Sequence, residues 1–101
     1  MKSIEIFLPM KANDGTPFRG EVFDRIEDEL TEKFGGVTAY KRAPAEGRWN
    51  SGGEMQVDQI AIFEVVADGI DHAWWKRFRA ALEESLRQEK ILITAREIEV
   101  L

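Results

Sequence analysis

The sequence predicts an α+β sandwich: a four-stranded antiparallel sheet with two helices on one face, in the order β-α-β-β-α-β. Three observations carry that prediction. Ile4, Ile6 and Leu8 alternate with Ser3, Glu5 and Phe7, the period of a strand with one apolar face. Two later segments, 18–30 and 75–86, repeat apolar residues at steps of three or four, the period of an amphipathic helix. The intervening stretches 37–42, 59–66 and 91–100 are rich in β-branched and apolar residues and are bounded by glycine, proline and aspartate. At 101 residues the chain is read as one domain, 1–101.

The first strand ends at Pro9, and Asn13-Asp14-Gly15 forms a loop. Thr16 offers an N-cap hydroxyl and Pro17 suits the first helical position. Phe18, Val22, Ile26 and Leu30, with Phe23 beside them, make the buried face of the first helix, and Gly35-Gly36 supplies a left-handed stop. Val37–Arg42 is a strand that leaves the sheet at Pro44, and 43–56 reads as a long loop without periodicity. Gln59–Val66 is apolar throughout except at Glu64, as expected of a central strand covered on both faces. Asp68 or Asp71 caps the second helix, whose inward face is Trp75, Phe78, Leu82 and Leu86. The last strand spans Ile91–Val100. Its apolar residues change phase, and a bulge near Arg96–Glu97 reconciles them.

This element order is the split βαβ, ferredoxin-like arrangement. Right-handed crossovers place both helices on one side of a sheet ordered 4-1-3-2 and leave the other side open. With Ile4, Ile6 and Leu8 turned to the helices, Phe7 faces the open side. Ile60 and Ile62, or Ala61, Phe63 and Val65, join it, with Leu92 and with Tyr40 or Val37. An apolar face of that size is rarely left in water. A homodimer packed sheet against sheet is the expected solution, ahead of a cover of loops or a ligand-binding face.

Composition narrows the function. The net charge of −5 argues against nucleic acid as a partner. The absence of cysteine removes disulfides, thiol catalysis and thiolate-bound zinc, and one histidine, His72, does not make a metal site. No stretch approaches a membrane span or a signal peptide, so a cytoplasmic protein with no membrane partner is expected. Nothing in the sequence calls for a cofactor.

The one stretch with no periodic explanation is FGGVTAYKRAPAEGRWN, residues 34–50. Tyr40, Lys41, Arg42, Arg48 and Trp49 form a candidate site for a small anionic ligand. Guanidinium groups fork onto carboxylate or phosphate, and Trp49 serves as a stacking plate. The competing reading folds Trp49 back over the sheet edge or onto a dimer partner, with the cations solvated. This stretch, together with Arg87-Gln88-Glu89, resembles a group of small, functionally uncharacterised bacterial proteins. In that group a helix ends in a glycine turn, a strand opens Leu/Val-Thr, Gly-x-Trp follows, and a glutamine precedes the last strand. Gly36, Val37, Thr38, Gly47, Trp49 and Gln88 carry the resemblance, over roughly the last two-thirds of the chain. It implies a ferredoxin-like fold and no established activity.

Other chemistry-bearing residues have plainer explanations. His72 could act as a general base, but Asp68 and Asp71 beside it read as caps. Trp75 belongs to the core stripe, and Trp74 seals its margin. Glu64, if inward, needs a cation or an elevated pKa; at a wet interface it needs neither. Two enzyme readings share the topology. A cofactor-free oxygenase of the dimeric α+β barrel type would line a pocket with Phe63, Trp75 and Phe78. An acylphosphatase-like hydrolase would hold phosphate on Gly15-Thr16-Pro17-Phe18-Arg19, although Pro17 removes a donor there and Asn50 falls in the expected 43–56 loop rather than on a neighbouring strand. An RNA-binding sheet lacks the basic and aromatic strand pattern. The preferred expectation is a small homodimeric ligand- or partner-binding protein that uses the 43–56 loop.

Overall fold

The computed structural model describes residues 1–51 and 54–101, with side chains described for 1–41 and 59–101. The elements are β1 (Lys2–Pro9), α1 (Gly20–Phe34), β2 (Thr38–Ser51), β3 (Glu54–Ala67), α2 (His72–Ser85) and β4 (Leu92–Glu97). The strands form one sheet in the order β2-β3-β1-β4, every neighbouring pair antiparallel. This is the expected 4-1-3-2 read from the opposite edge.

Strand alternation decides what is buried. Ile4, Ile6 and Leu8 of β1 pair with Val65, Phe63 and Ala61 of β3, and all six side chains point to the same side. Phe23, Ile26 and Leu30 of α1 and Trp75, Phe78 and Leu82 of α2 close over them in a single core. Each large apolar side chain enclosed this way contributes about 1.5–3 kcal/mol relative to exposure. Phe34, at the end of α1, lies parallel to Trp75 at 5.3 Å and edge-on to Trp74 at 5.3 Å, joining the two helices.

Helix ends follow from local chemistry. Gly35 takes φ +82 and donates its N–H to Thr31, the left-handed stop expected of the glycine pair. Asp71, rather than Asp68, caps α2 by accepting the Trp74 N–H at 3.1 Å. At the other end of α2, Arg87 adopts φ +52. Its N–H reaches Glu84 and that of Gln88 reaches Glu83, the paired bonds that commonly close a helix with glycine in that place.

The structure differs from the sequence-based expectation in four places. The first helix begins at Gly20, not at Thr16-Pro17. Asp14 accepts the Thr16 N–H at 2.9 Å, Ala12 and Thr16 are bonded across the loop, and Lys11 bridges to Pro17, so 10–18 closes as a turn before the helix can start. The segment 43–56 is not a loop. Ala45–Ser51 pairs with Glu54–Ile60, and the irregularity is confined to a register shift between Tyr40 and Ala45. Pro44, which lacks an N–H, sits within that shift. β3 is central in the sheet, but the helices cover only one of its faces. β4 needs no bulge: its register with β1 is unbroken through Glu97, and the strand simply ends there, with Val100 and Leu101 exposed.

Candidate functional site

Strand register organises the face that the helices leave bare. Leu92, Phe7, Ile62 and Tyr40 stand directly opposite one another on β4, β1, β3 and β2, so one row crosses the whole sheet. Leu92 is 52% and Tyr40 50% exposed, and Phe7 and Ile62 are half-buried. Between the two alternatives for β3, the structure selects Ile60 and Ile62 for this face; Ala61, Phe63 and Val65 belong to the core.

The adjacent row is polar: Thr94, Glu5, Glu64 and Thr38. Two carboxylates therefore face each other across β1 and β3, an arrangement that destabilises a sheet. Glu64 is compensated. The Ser3 hydroxyl, 1% exposed, donates to its Oε2 at 2.6 Å, and Arg96 Nη2 lies 3.9 Å from the same oxygen. Glu5 makes no ion pair among the described residues. The opposition was invisible in the sequence because it depends on register. Only the lone acid in an apolar strand pointed to it.

Two of the five residues singled out around the second strand, Tyr40 and Lys41, have described side chains, and these part. Tyr40 belongs to the open face. Lys41 turns to α1, where its Nζ lies 2.6 Å from Glu27 Oε1 and 3.6 Å from Asp24 Oδ1. The Glu27 hydrogen bond raises the ammonium above the usual lysine range. Lys41 is thus bound to its own helix. The side chains of Arg42, Arg48 and Trp49 lie outside the described residues, although their backbone belongs to β2, with Arg48 opposite Val57 and Trp49 opposite Gln56.

Several other candidates have structural employment. Gln88 donates to the Asn13 side chain at 3.3 Å and to the Leu86 carbonyl at 3.1 Å, and Asn13 donates to the Arg87 carbonyl at 2.8 Å. These bonds tie the loop after β1 to the end of α2. Glu83 accepts the Ile91 N–H at 2.8 Å and directs the chain into β4. Trp74 stacks on Phe78 at 4.9 Å beneath Lys33, which seals the core as expected. The N–H groups of Gly15 and Thr16 are taken by Ala12 and Asp14, so they do not form a free anion loop. Phe63, Trp75 and Phe78 all belong to the packed core.

A cleft of about 420 Å³ opens between α2 and the β4 edge. His72, Lys76 and Arg79, successive on one helix face, line it together with Trp75, Ile93 and Thr94. It was not legible along the chain, because β4 had to be placed beside α2 before those cations shared a wall. No helix among the described residues is long and apolar enough to cross a membrane. Among them, no three histidine, aspartate or glutamate side chains are grouped to hold a metal.

No family model matches the chain, and no curated protein matches it significantly. Among solved structures, a phage SAM lyase in complex with S-methyl-5'-thioadenosine shares the fold, with a TM-score of 0.61 and 15% identity over 95% of this chain and 80% of that one. At that identity the likeness is one of fold.

Proposed function

We propose that this chain is a ferredoxin-like binding protein that works as a homodimer, two copies packing open sheet face against open sheet face. The observation that supports it is the row Leu92–Phe7–Ile62–Tyr40, which carries apolar surface across every strand on the side without helices. A second copy is the occupant that fits. The charges flanking the row include both signs, Glu5 and Glu64 against Arg96, and a two-fold contact can set Arg96 of one copy against Glu5 of the other. Four strands at about 4.8 Å spacing and seven residues at about 3.4 Å give a face of roughly 450 Å² in projection, and more along its corrugated surface. In projection that is a little over half of the ~800 Å² per partner of a standard-size interface. Within this reading, the β2–β3 hairpin carrying Arg42, Arg48 and Trp49 is the segment offered to a small anionic ligand or a partner.

Light scattering tests the proposal. A mass near twice the 11.6 kDa of one chain is expected at micromolar concentration, falling to one chain when Phe7→Asp puts two new charges at the interface. A monomeric parent protein would defeat it.

A second reading, an enzyme acting on an S-adenosyl compound, draws support from the fold shared with the phage SAM lyase over nearly the whole chain. The α2–β4 cleft also falls within the roughly 300–1,000 Å³ of small-molecule sites. Incubation with S-adenosylmethionine, followed by chromatography, tests it. No loss beyond the enzyme-free rate would remove this reading and leave the binding protein standing.

A further inference from the structure

We propose that the α2–β4 cleft is a binding site for an organic anion with an aromatic body, its ring against the apolar floor and its charged group on Lys76 and Arg79. The sequence places His72, Lys76 and Arg79 at steps of four and three, so one helix face projects all three. The fold then sets that face against β4, where Ile4, Trp75 and Ile93 form the floor. Among the described residues, no carboxylate lines the cleft and neither Lys76 nor Arg79 makes an ion pair. In a chain of net charge −5 this is a local reversal of sign. Such a reversal concentrates anions and disfavours cations.

The sheet edge adds neutral donors. Ile98 donates its N–H to Met1 O, and the antiparallel register then directs the backbone groups of Arg96, Thr94 and Leu92 toward β1. The groups of Ile93 and Ala95 turn the other way, off the outer edge and beside the cleft. A phosphate or carboxylate held there meets the Arg79 fork, the Lys76 ammonium and an edge N–H together, the combination that fixes such groups in orientation. The cleft volume of about 420 Å³ leaves room for a ring system beside the anion. The site lies on the helix side of the sheet, so it does not depend on what covers the open face.

The test uses the full chain and three probes: AMP, adenosine and inorganic phosphate. Amide resonances of ¹⁵N-labelled protein are followed through each titration. The expected result is saturable movement of residues 70–79 and 92–95 with AMP. Adenosine and phosphate each bind at least about tenfold more weakly, since each lacks one half of the recognition. Lys76→Ala/Arg79→Ala weakens AMP by a similar factor, and Arg79→Glu abolishes it. Both side chains are exposed, so resonance dispersion is retained in each variant. No saturable shift below about 5 mM AMP, shifts centred elsewhere, adenosine binding as tightly as AMP, or a double variant that binds like the parent would each overturn the assignment.

Discussion

Leu92 and Ile91 are neighbours in sequence that face opposite ways, and truncating each separates association from folding. Ile91 is 1% exposed and belongs to the core, whereas Leu92 is 52% exposed at the end of the open-face row. Fully burying a leucine is worth about 1.5–3 kcal/mol, so a dimer that covers the exposed half gains about 0.8–1.5 kcal/mol per copy. A two-fold interface counts it twice. Leu92→Ala is therefore expected to weaken the dimer by about 1.5–3 kcal/mol, roughly ten- to a hundredfold in Kd, and to change the stability of the isolated fold by less than about 0.5 kcal/mol. Ile91→Ala is expected to do the reverse, costing about 2–5 kcal/mol of folding stability. Sedimentation equilibrium gives the Kd, and urea unfolding at a concentration below it gives the stability. If Leu92→Ala leaves the association constant unchanged, or lowers folding stability as much as Ile91→Ala, the open face is not an interface and the reasoning fails.

Further outcomes follow from single contacts. Ser3→Ala removes the buried donor to Glu64 opposite Glu5, and urea unfolding should show a loss of about 1–3 kcal/mol, largely restored by adding Glu64→Gln. Arg87→Gly relieves a left-handed residue at the end of α2; a gain of roughly 0.5–1 kcal/mol is expected, and a loss would mean that the Arg87 side chain packs. Lys2 and the N-terminal ammonium hold the Glu97 carboxyl below its usual range. Stability from that contact is therefore complete above the ordinary carboxylate pKa and fades as pH falls through the depressed folded value. A Glu97→Gln protein should lose less stability than the parent between about pH 5 and pH 3, and parallel profiles would refute this.

Period and punctuation made the layers of the fold legible. Ile4-Ile6-Leu8 and the stripes through Leu30 and Leu82 have one low-energy arrangement, apolar faces together, and strand order follows from right-handed crossovers. The register of β2 was not legible. Ala45–Ser51 is polar and glycine-containing, so no alternation announces a strand, and only its ladder with β3 defines it. The start of α1 was misread because Thr16-Pro17 carries good cap chemistry, which the Asp14 turn uses instead. Of the candidate site, the sequence did not show which way neighbouring side chains turn: a strand sends Tyr40 and Lys41 to opposite faces, where each finds a separate environment. The α2–β4 cations are spread over eight positions, and they converge only through a contact with the far end of the chain.

The most direct test of the homodimer is an isotope-filtered NOE experiment on an equimolar mixture of labelled and unlabelled chains. Cross-peaks between copies are predicted among Phe7, Ile62, Leu92 and Tyr40 side chains. Cross-peaks confined to helix residues, or none at a concentration where light scattering reports two chains, would contradict it.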